Sequence, residues 1–144
     1  MTPKIDFYIL SNTQPTARLQ LACRLIEKAY QQKHIIYIHA ADSAMANQLD
    51  DLLWTYRDDS FLPHHLYDIN LEPSPPIQIG FNTVPQKHND ILVNLDNQVP
   101  AFHSQFARIL ELVATDATAQ ESGRERYRFY RNKQFEITTH KLSE

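Results

Sequence analysis

Short apolar runs alternate with longer amphipathic segments along the first third of this chain. Residues 5–10 are apolar apart from Asp6, and a second apolar run covers residues 35–38. Strands that are apolar on both faces are typical of parallel sheets with helices on both sides. Apolar side chains recur at helical spacing over roughly residues 16–32, and again up to residue 54 in a second helix, which Asp42 or Ser43 is predicted to cap. This order of strand, helix, strand and helix predicts right-handed crossovers and a mainly parallel sheet.

The second half of the chain continues the alternation less regularly. We predict strands over residues 77–81 and 90–95, and a short alternating strand over residues 135–138. Residues 106–113 fit either a strand or a helix, and we choose a strand because another sheet element should precede the final helix. That helix is predicted from Asp116 or Thr118 to about Asn132. Residues 56–65 show no clear periodicity.

Length and composition favour one domain in the cytoplasm. The chain has 144 residues, 42% of them hydrophobic, and no repeat or low-complexity tract divides it. We therefore predict that residues 1–144 form a single three-layer α/β/α domain. The sequence has no signal-peptide pattern, and no apolar run approaches the ~20 residues of a membrane span. The single cysteine, Cys23, excludes an internal disulfide and any cysteine-based zinc site.

The predicted topology is like that of nucleotide-binding sheets, but it lacks a phosphate loop. Such loops need glycines so that backbone N–H groups can approach the anion closely. The chain has only Gly80 and Gly123, and the turn after the first strand, residues 11–16, contains neither. The adjacent pair His64 and His65 has no metal-binding partner motif nearby. We therefore expect no catalytic constellation, no cofactor and no metal.

Residues 124–131 concentrate positive charge in a chain whose formal net charge is −3. On a helix with ~100° per residue, Arg124, Arg128 and Arg131 fall within one narrow arc, with Tyr127 beside them. Guanidinium groups bind carboxylates and phosphates bidentately, so this stripe fits an acidic peptide or a phosphate backbone. The alternative is a solvated amphipathic helix whose arginines cover neighbouring apolar surface.

Five short motifs occur in order along nearly the whole chain. They are Phe-Tyr-Ile-Leu at residues 7–10, the helix end at 49–54, Ser-Phe-Leu-Pro-His at 60–64, Asp-Ile-Leu-Val at 90–93 and the arginine-rich segment at 124–131. The most specific are the Leu-Trp followed seven residues later by Phe-x-Pro-His, and the late Arg-Glu-Arg-Tyr. At this spacing the chain resembles the chi subunit family of bacterial DNA polymerase III.

The resemblance implies a non-catalytic adaptor in DNA replication. Members of that family look like a nucleotide-binding α/β fold that has lost the phosphate loop, and they belong to the clamp-loader complex. They form a heterodimer with the psi subunit and bind the acidic C-terminal tail of single-stranded DNA-binding protein. In some members a helicase also uses the psi surface. The alternative is direct binding of single-stranded nucleic acid by the helix at residues 124–131, because arginines and aromatics also form stacking platforms; the acidic remainder of the chain counts against it.

Carried over by position, the resemblance divides the candidate site residues between two surfaces. The tail site is expected to comprise one strand residue and four helix residues, namely Val113, Arg124, Tyr127, Arg128 and Arg131. One basic position of that site, a turn before Arg124, is the neutral Gln120 here. The psi surface is expected to comprise Trp54, Phe61, Leu62 and Pro63.

Two physical expectations accompany these positions. The arginines would bind the aspartates of the tail, while Val113, at the end of its strand, would line a recess for the terminal phenylalanine ring. Trp54 and Phe61 are large apolar groups in or beside irregular segments, where aromatic anchors of interfaces are common. The alternative is that both aromatics belong to the core.

Overall fold

A computed structural model describes residues 2–56, 61–71 and 74–142 of the chain. Within these residues strands and helices alternate much as the sequence predicts. A 3-10 helix at Ala101–Gln105 precedes the strand whose assignment was ambiguous. The strands and α-helices are β1 (Lys4–Ile9), α1 (Ala17–Gln31), β2 (Ile36–Ala40), α2 (Ser43–Thr55), β3 (His64–Leu66), β4 (Ile77–Phe81), β5 (Ile91–Asn94), β6 (Arg108–Val113), α3 (Ala117–Asn132) and β7 (Glu136–Lys141).

The strands form one seven-stranded sheet in the order β3-β4-β2-β5-β6-β1-β7, and every pairing between them is parallel. The predicted α/β class and mainly parallel sheet are therefore confirmed. Residues 108–113 form a strand, which confirms the prediction of a strand rather than a helix for this segment. The three-residue strand β3 was not predicted, and it lies at one edge of the sheet, paired with β4.

Aspartates begin the helices α2 and α3. The side chain of Asp42 accepts a hydrogen bond of 2.8 Å from the backbone N–H of Met45, and Asp116 accepts one of 3.1 Å from that of Ala119. Each satisfies an N–H group that has no partner within its own helix. Both aspartates were predicted as possible helix starts, and these bonds explain why α2 and α3 begin where they do.

The sheet has a core on each face, which gives the three layers. Along β2, Ile36 and Ile38 contribute to the core beneath α1 and α2, whereas Tyr37 contributes to the core on the α3 side. Cys23 is fully buried within the first of these cores. Burial raises the pKa of the Cys23 thiol to about 12, so this side chain acts as a small hydrophobic group rather than a nucleophile.

A buried polar network joins α3 to the sheet. Glu111 on β6 is 0% exposed and accepts hydrogen bonds from Arg126 Nε (2.8 Å), Tyr130 Oη (2.6 Å) and Asn94 Nδ2 (2.9 Å). Burial raises the pKa of Tyr130, so its hydroxyl remains a proton donor to the carboxylate. Burial raises the pKa of Glu111, and the three donors on two neighbouring elements oppose this shift, so they offset part of the cost of burying the carboxylate.

A second buried carboxylate joins the last three strands at one end of the sheet, β6, β1 and β7. Asp6 on β1 is 1% exposed and accepts hydrogen bonds from Arg108 Nε on β6 (2.6 Å) and His140 Nε2 on β7 (3.0 Å). Burial by itself would raise the pKa of Asp6, but these two donors hold it below its usual value. The carboxylate thus connects three adjacent strands across the sheet.

Replacing Glu111 by glutamine is expected to destabilise the protein strongly. The substitution leaves the buried guanidinium of Arg126 without its counter-charge, and breaking a buried ion pair costs about 3–5 kcal/mol. The free energy of unfolding is measured by urea denaturation. Glu136→Gln is the matched control, because Glu136 pairs with Lys4 at 3.5 Å on the surface and its loss should change stability by only about 0.5 kcal/mol. Equal losses in both variants would contradict the role of the network.

The stabilisation from Asp6 is expected to depend on pH. Since the folded state lowers its pKa, the ionised carboxylate stabilises the fold above the unfolded-state pKa of about 4. This contribution is lost as the pH falls through the lower, folded-state pKa. The difference in free energy of unfolding between the wild type and Asp6→Asn should therefore be full at neutral pH and shrink below about pH 4. Urea denaturation at several pH values measures it, and a constant difference would contradict the assignment.

Candidate functional site

The exposed side of α3 carries the predicted arginine stripe. Arg126 and Tyr130 point inward to Glu111, and Arg124, Arg128 and Arg131 are all exposed. Arg126, the remaining arginine of the segment, is only 5% exposed. The structure thus separates one structural arginine from three surface ones. The sequence alone does not assign Arg126 this role, because its partner lies on another strand.

The guanidinium groups of Arg124 and Arg128 share a carboxylate. Arg124 Nη1 lies 3.1 Å from Glu121 Oε2, and Arg128 Nη2 lies 3.9 Å from Glu121 Oε1. More than half of each of these three side chains is exposed. Ion pairs of this kind contribute at most about 1 kcal/mol, so a carboxylate from a ligand can replace Glu121 at little cost. The two arginines are already placed to hold one carboxylate between them.

Half-buried apolar side chains lie between α3 and the sheet edge. The ring of Tyr127 is 5.4 Å from that of Phe7, and Ile9 on β1 and Ile137 on β7 pack against the same core. Because Ile9 is in register with Lys141, this exposed cation shares the face of the sheet that α3 covers. Ile9, Ile137 and Lys141 were missed by the sequence reasoning. We call the whole region the α3–β7 surface, formed by Arg124, Arg128, Arg131, Tyr127, Ile9, Ile137 and Lys141.

Val113 lies beneath α3 rather than on the α3–β7 surface. It is the last residue of β6 and is 4% exposed. A Cβ atom at Gly123 would lie 3.0 Å from both of its γ carbons, so the absence of a side chain at Gly123 lets the helix approach the strand closely. Val113 therefore supports the helix in the core. An open recess lined by its side chain, as the sequence suggested, would require α3 to move.

The structure brings two aromatic residues of the predicted psi surface together. The rings of Trp54, at the end of α2, and Phe61 have centroids 6.0 Å apart and planes inclined at 44°. The residues are 55% and 69% exposed, which excludes the alternative that both are core residues. Residues 57–60 of the connecting segment, including Ser60 of the sequence motif, lie outside the described residues. We call Trp54 and Phe61 the aromatic patch.

The other two predicted psi-surface residues, Leu62 and Pro63, are less exposed than the patch. Leu62 is 3% exposed and packs in the core beneath α1 and α2, so it does not present its side chain to a partner. Pro63 is half-buried. The packing of Leu62 holds the backbone next to Phe61 against the core. Of the four predicted residues, two are thus well exposed.

At the edge of the sheet where related folds bind nucleotides, charged side chains are bonded to other groups of the same chain. A cleft of about 390 Å³ lies there, lined in part by Arg18, Asp116 and Arg126. Arg18 Nη1 donates a hydrogen bond of 3.2 Å to the Leu95 carbonyl, Asp116 begins α3, and Arg126 binds Glu111. Burial lowers the pKa of Arg18, with a further contribution from the nearby Arg126. The charges of the cleft are therefore engaged by the chain itself.

Across residues 2–56, 61–71 and 74–142, no three histidine, cysteine or acidic side chains converge in a way that could hold a metal ion. In the same part of the chain, no helix combines the length and the apolar character that crossing a membrane requires.

A solved structure shares the fold at low sequence identity. The crystal structure of T4 UvsW superimposes with a TM-score of 0.68 over 96% of the present chain, at 10% identity. The match spans 41% of the UvsW chain. At this identity the similarity concerns the fold alone.

Sequence comparisons are more specific. A family described as "DNA polymerase III chi subunit, HolC" matches residues 1–138. The DNA polymerase III subunit chi of Pseudomonas aeruginosa is 38% identical over 96% of both chains. The subunits chi of Haemophilus influenzae and Escherichia coli are 26% and 28% identical, over 96% and 92% of this chain and 97% and 94% of their own lengths. Taken with the α/β/α fold and the ordered motifs, these matches show that the chain belongs to the DNA polymerase III chi subunit family.

Proposed function

We propose that this protein is a non-catalytic accessory subunit of the DNA polymerase III holoenzyme in the bacterial cytoplasm. Its aromatic patch binds the psi subunit as a heterodimer and so attaches it to the clamp loader. Its α3–β7 surface binds the acidic C-terminal tail of single-stranded DNA-binding protein. The subunit thereby connects the replicase to coated template. Neither a cofactor nor direct contact with nucleic acid or membrane is part of this proposal.

The separation of two chemically different surfaces carries the proposal. α2 packs on β3 and β4, and α3 packs on β6 and β7. Since β3 and β7 are the two outer strands, six inter-strand spacings of about 4.8 Å place these edges about 29 Å apart. One surface is cationic and the other apolar, and they lie on opposite faces of the sheet. This arrangement suits an adaptor that holds two partners at once.

The α3–β7 surface has the groups that an acidic tail ending in phenylalanine requires. Arg124 and Arg128 can hold a carboxylate between them, as they hold Glu121. Tyr127, Ile9 and Ile137 form apolar surface beside the cations, where an aromatic ring could pack. We propose that Lys141, across from the helix, compensates for the neutral Gln120 at a position that is basic elsewhere in the family.

The aromatic patch has the character of an interface anchor. Buried aromatic side chains dominate the binding energy of many protein interfaces. Leaving Trp54 and Phe61 exposed to water is unfavourable, so covering their rings with an apolar partner releases free energy. Where a helicase uses the same patch in this family, it and psi should compete for one molecule of the subunit.

Arg124→Ala is expected to weaken binding of the tail peptide by about 1–3 kcal/mol, because each charge-assisted hydrogen bond contributes about that much. The melting temperature should change little, since the side chain is 60% exposed. Titration calorimetry with the peptide measures the effect, and added salt should weaken the wild-type interaction as well. Arg24→Ala is the matched control, because Arg24 is an exposed arginine on α1.

A parallel titration with a bare oligonucleotide separates the tail site from nucleic-acid binding. If Arg124→Ala reduces oligonucleotide binding and leaves peptide affinity at the wild-type value, the arginine stripe is a nucleic-acid site and the tail proposal is wrong. We expect Arg124→Ala to reduce the affinity for the peptide and to leave oligonucleotide binding unchanged.

Phe61→Ala is expected to abolish co-purification with psi and to leave the tail-peptide affinity unchanged. The two surfaces are far apart and share no contacts, so their effects should be independent. The melting temperature should stay the same, because the ring is 69% exposed. Ile69→Ala serves as the control, since Ile69 is another exposed apolar side chain. An unchanged melt together with unchanged psi binding would remove Phe61 from the interface.

A further inference from the structure

One residue of the Phe-x-Pro-His motif is not used by either proposed surface directly. His64 is the first residue of β3, and its side chain is 0% exposed. It lies directly beside the aromatic patch without reaching solvent. A partner that binds the patch cannot contact it, so any contribution of His64 to binding must act through its neighbours.

The imidazole of His64 connects the loop that carries Phe61 to helix α2. Its Nδ1 atom lies 2.5 Å from the carbonyl oxygen of Leu62. Its Nε2 atom lies 3.2 Å from the carbonyl oxygen of Asp50 and 3.3 Å from Asp50 Oδ1. Carbonyl and carboxylate oxygens only accept hydrogen bonds, so a ring nitrogen of His64 bonds to them only where it carries a proton. A neutral imidazole has one such proton, and the shorter contact, to the Leu62 carbonyl, assigns it to Nδ1; a ring protonated on both nitrogens donates to Asp50 as well.

The same ring supports the indole of Trp54. The two ring centroids are 4.4 Å apart, closer than the 6.0 Å between Trp54 and Phe61. The ring of His64 therefore contacts Trp54. Its Nδ1 atom bonds to the carbonyl of Leu62, the residue that follows Phe61. The buried side chain of Leu62 also anchors this segment to the core.

We propose that His64 is a positioning residue that holds Trp54 and Phe61 in the arrangement the partner binds. The inference rests on the proposed function of the aromatic patch. Side chains that are ordered before association lose less conformational entropy on binding, so a preformed patch binds more tightly than a mobile one. The Nδ1 bond orients the backbone beside Phe61, and the imidazole ring supports Trp54.

Three substitutions separate these two contributions. His64→Ala removes the ring and the donor, His64→Phe keeps an aromatic ring without a donor, and His64→Asn keeps a donor near the Nδ1 position without a ring. The readouts are the affinity for psi, the affinity for the tail peptide, and acrylamide quenching of the fluorescence of Trp54, which is the only tryptophan.

His64→Ala is expected to weaken psi binding about tenfold or more, with His64→Phe and His64→Asn each recovering part of the loss. Quenching of Trp54 should increase in His64→Ala and His64→Asn and stay near the wild-type value in His64→Phe. The affinity for the tail peptide should remain within about twofold throughout, because the two surfaces are independent. A residue that only stabilises the fold would instead lower both affinities together with the melting temperature.

Wild-type psi affinity in His64→Phe and His64→Asn overturns the proposal, even if His64→Ala fails to fold. A loss of psi binding in Trp54→Ala and Phe61→Ala beside that result would leave the proposed psi surface intact. If Trp54→Ala and Phe61→Ala also bind psi as the wild type does, the psi surface itself is wrong and the role of His64 is overturned with it.

Discussion

The position of α3 depends on the buried ion pair between Glu111 and Arg126. The helix contributes a glycine, an arginine and a tyrosine to the buried interface rather than an aliphatic stripe, so apolar burial alone does not determine its rotation. Arg126 and Tyr130 are one turn apart and both reach the same carboxylate. Any other rotation would leave a buried charge without a partner, which is strongly unfavourable. With these two residues inward, the remaining arginines of the helix necessarily face solvent.

Local patterns account for what could be predicted of the fold. Apolar periodicity identified the helices and the longer strands, and Asp42 and Asp116 were recognised because helix capping involves residues three positions apart. The strand β3 was missed because it has three residues and alternation cannot be recognised over so short a span. The order of the strands was not predicted beyond their parallel sense, since it depends on contacts between distant segments.

For the candidate site, too, local patterns were predictable and contacts between distant segments were not. Helical spacing alone placed Arg124, Arg128 and Arg131 on one side of α3, and all three are exposed. The burial of Leu62 and Val113 depends on tertiary packing against other elements, and no neighbouring residue signals it. Ile9 and Ile137 form part of the α3–β7 surface only because β1 and β7, from opposite ends of the chain, pair in the sheet.

The location of β1 between β6 and β7 has a consequence for synthesis on the ribosome. The first strand emerges early, yet both of its partners lie in the last third of the chain. Its apolar residues therefore have no sheet partner until β6 and β7 have emerged, so this edge of the sheet depends on contacts between segments distant in sequence. The segments around the aromatic patch, α2, β3 and β4, are close together in sequence. The aromatic patch can consequently form before the last two strands are synthesised, whereas the α3–β7 surface is completed only once β7 has emerged.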